Sequence, residues 1–132
     1  METESEITKQ KCNDQKCHFH GYTSVRGRSL TGTVISTKMR KTVIIEFDRL
    51  FYLKKYERYE KRRTRLKAHN PECINAKDGD VVEVMECRPL SKTKNFMIIR
   101  KLGSEKGFKE KMEARETAKV IQKKEEKPKE EQ

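Results

Sequence analysis

The sequence predicts an all-β domain at the centre of a 132-residue chain. Between residues 30 and 102 the apolar residues form short clusters separated by turn residues, a pattern typical of strands. Only 33% of the residues are hydrophobic and none is Trp, so the chain can fill one small core. We therefore expect one folded domain at residues 29–102, with an N-terminal extension at 1–28 and a charged tail at 103–132.

The first two predicted strands, at residues 30–36 and 42–48, pair as a hairpin. Val43, Ile45 and Phe47 lie at every second position, which places their side chains on one face of a strand. The intervening residues 36–41 contain three cations and form the connector. The hairpin is therefore expected to carry a basic loop at its tip.

Two more strands follow the turn signal Asp78-Gly79-Asp80. They are predicted at residues 81–87 and 96–102. Residues 88–95, between them, are expected to form a second long basic loop. Cys87 lies within the earlier of these strands and is interpreted as a small core residue.

The segment 54–67 gives conflicting signals. Its Glu, Lys and Arg residues favour a helix, whereas residues 64–68 alternate between charged and less polar side chains. The turn His69-Asn70-Pro71 then closes the segment. We predict a loop to about Tyr59 followed by a strand.

The two ends of the chain have little apolar content. Residues 105–127 are rich in Glu, Lys and Ala without turn residues, which indicates a charged helix or a disordered tail. Residues 1–20 contain too few apolar side chains to fold without a partner or a metal ion.

Positive charge is concentrated in two segments of the chain, whose formal net charge is +11. Residues 49–67 contain nine basic and two acidic side chains, and residues 88–101 contain five basic side chains and no acid. Residues 68–87, in contrast, have a net charge of −4. Such separate basic segments favour a polyanionic partner, and RNA is the partner that we expect.

Three tyrosines accompany the first basic segment. Flat rings among cations are typical of surfaces that contact RNA bases and backbone. The alternative is that one of the rings caps the core. Sequence alone leaves both roles open for Tyr52, Tyr56 and Tyr59.

A metal site is the second candidate. Cys12, Cys17 and His20 offer three ligands within nine residues, and Cys73, close to Pro71 in a turn, offers a fourth. This set suits a tetrahedral structural zinc ion, which would also order the N-terminal segment. The alternative is a group of free thiols in a reducing compartment.

Several other classes of protein are disfavoured. The runs 50–53 and 96–99 are the longest apolar stretches and are far too short to span a bilayer. The acidic start of the sequence lacks the features of a secretory signal, so we expect a cytoplasmic protein.

The glycines at 27 and 32 match a phosphate-binding loop, but Thr33 follows where that motif needs Lys. With three histidines, two of them in the cysteine cluster, no catalytic constellation is visible and we predict no enzymatic activity.

Two strings of residues carry a family resemblance. Lys-Met-Arg-Lys-Thr-Val at residues 38–43 and Arg-Pro-Leu-Ser-Lys-Thr-Lys at residues 88–94 closely resemble the small-subunit ribosomal protein seventeen family, whose eukaryotic member is numbered eleven. Residues 55–63 add to the similarity, which covers about residues 12–102. The Cys-Asn-Asp-x-x-Cys-x-x-His-Gly start is similar to the archaeal and eukaryotic branch.

The resemblance implies a five-stranded OB-fold barrel and a non-enzymatic, structural role in the small ribosomal subunit. It implies that the protein binds the 5′ domain of small-subunit ribosomal RNA during assembly, beside neighbouring ribosomal proteins, with no membrane or small-molecule partner. It places RNA contacts in the two basic loops, and the basic run with His69 extends that surface. The expected RNA contacts are Arg26, Arg28, Lys38, Arg40, Lys41, Tyr52, Lys54, Lys55, Tyr56, Arg58, Lys61, Arg62, Arg63, Arg65, Lys67, His69, Arg88, Ser91, Lys92, Thr93 and Lys94.

Two other functions are compatible with the same residues. One is a free OB-fold chaperone of single-stranded RNA that uses the tyrosines as a stacking platform. The other is a zinc-dependent module that binds a protein partner through the Cys and His cluster. The family resemblance favours the ribosomal role over both.

Overall fold

The computed structural model describes residues 12–125, with side chains to residue 118. Its β-strands are β1 (Val25–Met39), β2 (Thr42–Leu53), β3 (Arg58–His69), β4 (Asp80–Ser91) and β5 (Lys94–Ser104). One turn of 3-10 helix, Lys54–Tyr56, joins β2 to β3, and one helix, α1 (Phe108–Glu125), follows β5. None of the helices among the described residues is long and apolar enough to cross a membrane.

The strands close into a barrel in the order β1-β2-β3-β5-β4. All neighbouring pairs are antiparallel except β3 and β5, which are parallel and meet only at Ala68↔Phe96 and His69↔Met97. Strand β1 is long enough to pair with β4 through its first half and with β2 through its second. This topology confirms the predicted all-β, five-stranded OB-like barrel.

The alternating residues of the predicted strands fill the barrel. Val43 and Ile45 of β2 and Val82 and Val84 of β4 are at most 1% exposed, and Ile98 of β5 completes the contact between them. Burial of such aliphatic side chains stabilises the fold by roughly 1.5–3 kcal/mol each. The period-two pattern of β2 therefore predicted the inward side chains of Val43 and Ile45, while Phe47 beyond them is half-buried.

The strands are longer than the sequence indicated, and the prediction of two long basic loops was wrong. Strand β1 continues to Met39, so residues 40 and 41 alone form the first turn. Strand β4 continues through Pro89 to Ser91, and residues 92 and 93 alone form the second. Pro89 is tolerated because the β4–β5 register is irregular between Glu86 and Ser91, where its missing N–H costs no regular ladder bond.

The tyrosine-rich segment also differs from the prediction. Strand β2 extends to Leu53 and β3 begins at Arg58, so the expected loop up to Tyr59 is a short turn. Tyr52 and Tyr59 face each other across the two strands. Aromatic side chains favour strands when paired in this way, and this pairing overrides the helical preference of the intervening Lys and Glu residues.

Helix α1 packs against the barrel through its first turns. Phe108 lies over Gly79, where an added Cβ would stand 3.0 Å from the ring, and Gly79 also has a φ of 89°. Arg115 reaches Glu46 of β2, with its Nη1 3.0 Å from the carboxylate. The helix accounts for residues 108–125 of the tail, while residues 1–11 and 126–132 lie outside the described part of the chain.

Candidate RNA-binding surface and metal cluster

Strands β2 and β3 form a hairpin of which only one half belongs to the barrel. They pair continuously from Thr42↔His69 to Leu53↔Arg58. Strand β2 loses its second neighbour after Glu46, and β3 pairs with β5 only through residues 68 and 69. Residues 47–64 therefore project from the barrel as a two-stranded ribbon, which we call the ribbon.

The two faces of the ribbon differ. Because directly opposed residues share a face, Tyr52 and Tyr59 lie together with Leu50, and these three side chains are 45–69% exposed. The two tyrosine rings are 5.2 Å apart and tilted. On the other face the guanidinium of Arg62 stacks 4.1 Å above the ring of Phe51. One face of the ribbon thus exposes the rings of Tyr52 and Tyr59 to solvent, while on the other face the guanidinium of Arg62 covers the ring of Phe51.

The ribbon carries six of the sixteen cations predicted to contact RNA, all in exposed positions. Arg62 pairs with Glu60, and Arg65, just below the ribbon, pairs with Glu46. Within the described part of the chain the other cations of the ribbon have no carboxylate within ion-pair distance. These are Arg49, Lys54, Lys55, Arg58, Lys61 and Arg63. A surface with this much uncompensated positive charge attracts polyanions.

The two basic turns lie side by side at the other end of the hairpin, and we call them, with the strand residues that flank them (38–42 and 91–94), the paired turns. The Nζ of Lys94 donates a hydrogen bond of 3.0 Å to Oγ1 of Thr42, which joins the second turn to the first. Lys38 and Arg40 are exposed in the first turn, whereas Lys41 is 31% exposed and pairs with Glu72 at 2.8 Å. Exposed in the second turn are Ser91, Lys92 and Thr93.

The remaining predicted RNA contacts are dispersed. Lys67 is exposed on β3 beyond the ribbon. Arg26 and Arg28 are exposed on the first residues of β1, and the guanidinium of Arg88 lies 5.3 Å from the ring of Tyr22. The structure therefore groups the cations into the ribbon, the paired turns and the start of β1.

His69 does not fit its predicted role. Its side chain is 1% exposed, and its Nε2 lies 2.8 Å from a carboxylate oxygen of Asp14. Burial lowers the pKa of His69, although the neighbouring Asp14 opposes that effect. His69 is therefore an internal residue that holds the N-terminal segment to the barrel, and its burial argues against the expected direct contact with RNA.

Two alternatives for individual side chains are also resolved. Tyr52, Tyr56 and Tyr59 are 45%, 64% and 69% exposed, so none of them caps the core.

Cys87 is only partly buried at the end of the barrel, where it pairs with Val25, and its burial raises the pKa of the thiol. The prediction of a core cysteine at this position was therefore only partly right.

The four predicted metal ligands converge. The ligand atoms of Cys12, Cys17, His20 and Cys73 all lie within 4.8 Å of one another. The Nδ1 of His20 is 3.2 Å from Sγ of Cys12 and 3.7 Å from Sγ of Cys17, which in turn is 3.7 Å from Sγ of Cys73. Residues 12–21 thus form a compact loop, which we call the knuckle. The cluster that its three ligands form with Cys73 could hold a metal ion.

The chemistry of the cluster suits a metal that displaces protons. Burial raises the pKa of Cys17 and of Cys73, so without an ion both thiols stay protonated at neutral pH. A bound divalent cation stabilises thiolates and removes this cost. The loop that supplies Cys73 is fixed by Asn70, whose side chain bonds both the N–H and the C=O of Ala76.

Asp14 and Lys16 are knuckle residues that sequence reasoning missed. Asp14 is 6% exposed, accepts hydrogen bonds from His69 and from the backbone N–H of Lys16, and forms an ion pair with Lys41 at 3.9 Å. Burial tends to raise the pKa of Asp14, but these partners outweigh it and the pKa is lowered. One aspartate among cysteines gives no signal in the sequence, because its partners are 27 and 55 positions away.

Comparison with known proteins relates the sequence to one family. The family model described as Ribosomal protein S17 matches residues 32–100. The protein named "Small ribosomal subunit protein uS17" of Methanocaldococcus jannaschii is 58% identical over 93 residues, which are 70% of this chain and 80% of that protein. The proteins of the same name from Methanoculleus marisnigri and Methanococcus vannielii are 54% and 58% identical, over 70% and 68% of this chain and 86% and 83% of theirs. The chain therefore belongs to the Ribosomal protein S17 family.

Proposed function

We propose that this protein is a structural component of the small ribosomal subunit that binds the 5′ domain of its ribosomal RNA. Neighbouring ribosomal proteins are its other partners, and the cytoplasmic ribosome is its location. The names of the archaeal relatives support the ribosomal role. Membership of a ribosomal protein family also confirms the prediction that the chain is not an enzyme.

The observation that carries the RNA proposal is the unpaired positive charge of the ribbon. A solvated surface normally mixes cations and anions, whereas the ribbon presents several cations without carboxylate partners among the described residues. Each phosphate that such a cation neutralises releases condensed counterions from RNA. The barrel supplies a rigid support from which the ribbon and the paired turns reach separate RNA segments and reduce their mutual repulsion.

The exposed tyrosines extend this mechanism from phosphates to bases. Tyr52 and Tyr59 form one tilted aromatic surface next to cations of the ribbon. Unpaired bases stack on such rings, which contributes about 1–3 kcal/mol per base. Phosphate contacts would then fix the position of the protein, and stacking would favour RNA segments with an accessible base.

Zinc is the metal that best fits the cluster. Zinc–sulfur bonds of about 2.3 Å at tetrahedral angles separate two thiolate sulfurs by roughly 3.8 Å. The Sγ atoms of Cys17 and Cys73 are 3.7 Å apart, and a set of three thiols and one imidazole is a common structural zinc site. We assign the ion a structural role, since all four positions of the tetrahedron are filled by Cys12, Cys17, His20 and Cys73.

A binding comparison tests the RNA proposal. The purified protein is titrated with the folded 5′ domain of small-subunit ribosomal RNA and with poly-uridine at one physiological salt concentration. We expect at least ~100-fold tighter binding to the folded domain, because its recognition depends on RNA shape. Equal affinity for both RNAs would instead identify a single-strand binder that uses the tyrosines without regard to RNA structure.

A further inference from the structure

The knuckle forms one wall of a basic pocket. The pocket has a volume of about 390 Å³, and its lining includes Lys16 of the knuckle, Arg40 and Lys41 of the first turn, and Lys94 of the second. Asp14 and the ring of His69 form its floor. Three segments that are distant in sequence thus bring four cations to one place.

The acids around the pocket do not balance these cations. The carboxylate of Asp14 lies 2.8 Å from His69 and 3.9 Å from Lys41, and Lys41 also pairs with Glu72, so two carboxylates face four cations. Lys94 uses its ammonium group on the neutral hydroxyl of Thr42. Among the residues that the structure describes, neither Lys16 nor Arg40 has a carboxylate within ion-pair distance.

The partly buried position of Lys94 adds to the imbalance. Burial lowers the pKa of Lys94, and the positive charge of Lys16 lowers it further. Like charges in a partly buried site are unfavourable unless an anion lies between them. The pocket is thus arranged to gain stability from a negative ligand.

We propose that this pocket binds one phosphate group of the RNA backbone, and that the metal-bound knuckle completes the pocket by placing Lys16. This inference rests on the proposed binding of ribosomal RNA, because that RNA supplies the phosphate. It gives the knuckle a function beyond stability. The metal cluster holds an RNA-binding residue that belongs to neither the ribbon nor the turns.

The dependence on the knuckle follows from local bonds. Lys16 stands between Cys12 and Cys17, and its backbone N–H bonds the side chain of Asp14 at 3.2 Å. The N–H of Cys17 bonds the carbonyl oxygen of Asp14 at 3.0 Å. A bound metal would fix the cysteines on either side of this turn and so hold Lys16 at the pocket. Loss of the metal would therefore remove Lys16 from the pocket but leave Arg40 and Lys94 in the barrel.

The test uses Lys16→Gln in the full-length, zinc-loaded protein, with Lys109→Gln on helix α1 as a control. Both lysines are exposed, and both substitutions remove one positive charge. We expect Lys16→Gln to weaken binding to the folded 5′ domain by about tenfold. It should also reduce the slope of log affinity against log salt by about 0.9, as expected for one lost phosphate contact. Lys109→Gln should change affinity less than about twofold.

Chelation separates the role of the metal from that of the charge. After zinc removal, the parent and Lys16→Gln should bind the RNA equally, since Lys16 no longer lines the pocket. Equal effects of Lys16→Gln and Lys109→Gln in the zinc-loaded proteins would overturn the phosphate pocket. A Lys16 effect that keeps its full size after chelation would overturn the dependence on the knuckle. Failure of the RNA proposal itself is distinguishable, because the parent would then show no preference for the folded domain over poly-uridine.

Discussion

The two halves of the β2–β3 hairpin share one ladder of hydrogen bonds but have opposite surroundings. In the barrel half, residues 42–46 and 65–69, the inward side chains Val43, Ile45 and Ala68 are fully buried. In the ribbon, the apolar side chains Leu50, Phe51 and Tyr52 are 39–65% exposed. The pairing of two strands is therefore not enough to bury a residue, and a third strand decides whether an apolar side chain is core or surface.

This difference separates stability from recognition along one pair of strands. The barrel half is also where the N-terminal knuckle attaches, through the bond between Asp14 and His69 at the end of β3. The ribbon lies outside the barrel and presents Tyr52, Tyr59 and most of its cations to solvent. We therefore expect changes in the barrel half to lower the free energy of unfolding, and changes in the ribbon to lower RNA affinity alone.

The largest effect on the free energy of unfolding is expected from removal of the metal ion, because the metal would hold together the knuckle that packs on the barrel half. Zinc at about a thousand times its dissociation constant stabilises a folded protein by roughly 4 kcal/mol. Chelation should lower the free energy of unfolding by about that amount, and Cys73→Ala should do so even in zinc. Urea unfolding with zinc and with chelator, together with metal analysis of the purified protein, measures the effect.

Cys87→Ala is the matched control for the metal prediction. Cys87 is a partly buried cysteine, whereas Cys73 is buried, and Cys87 is not one of the four clustered ligands. Its variant should retain one bound zinc ion and the same sensitivity to chelation as the parent. A parent protein that binds no zinc, or whose unfolding is the same with and without chelator, would contradict the assignment of a structural zinc ion.

The next effect compares the two halves of the hairpin directly. Ile45→Ala removes a fully buried side chain and should lower the free energy of unfolding by about 3 kcal/mol through the lost burial and the cavity. Leu50→Ala removes an apolar side chain from the same strand that is 65% exposed, and should cost less than about 0.5 kcal/mol. Chemical denaturation of both variants measures the difference. Similar losses for the two would mean that the ribbon is packed in solution.

The sequence predicted the barrel half better than the ribbon, for a physical reason. Alternation in residues 43–47 reports which face of a strand is apolar, and Val43 and Ile45 are indeed inside. Alternation does not report where the neighbouring strand ends, so the free ribbon could not be separated from the barrel. The basic string at 88–94 was mistaken for a loop because its strand conformation comes from hairpin pairing and not from residue preference.

The candidate site was predictable where its residues are close in the chain. The spacing of Cys12, Cys17 and His20 predicts a metal cluster, and the turn near Pro71 correctly suggested Cys73 as its fourth member. The burial of His69 was not predictable, because it depends on Asp14 in a segment with no strand or helix of its own. Long-range polar contacts of this kind leave no periodicity in a sequence.

A smaller effect is expected at the border between the two halves. Glu46 is 8% exposed and receives Arg65 of β3 at 2.9 Å and Arg115 of α1 at 3.0 Å. Glu46→Gln should lower the free energy of unfolding at neutral pH by about 1–2 kcal/mol, because two partly exposed charged hydrogen bonds weaken. Amide exchange in the first turns of α1 should become faster, since Arg115 anchors the helix.

The same variant has a defined pH dependence. Burial raises the pKa of Glu46, but Arg65 and Arg115 outweigh it, so the pKa lies below the ordinary glutamate range. Because the unfolded chain binds the proton more readily than the folded chain, ionised Glu46 stabilises the fold. This stabilisation is fully present at neutral pH and is lost as the pH falls through the lowered pKa. The stability gap between parent and Glu46→Gln should therefore narrow in acid. The exposed Glu113→Gln serves as the control, and a gap that stays constant from neutral to acidic pH would contradict the proposed ion pairs.

A small effect on stability, and the clearest effect on recognition, is expected at Tyr59 in the ribbon. Tyr59 is 69% exposed and touches the ring of Tyr52, so Tyr59→Ala should cost less than about 1 kcal/mol of unfolding free energy. If a base stacks on this pair, the affinity for the folded 5′ domain should fall by about tenfold, while Tyr59→Phe, which keeps the ring, should bind like the parent. Filter binding and urea unfolding of the two variants separate the effects. Unchanged affinity of Tyr59→Ala would restrict the ribbon to phosphate contacts, and a large loss of stability would show that its aromatic face is packed rather than open.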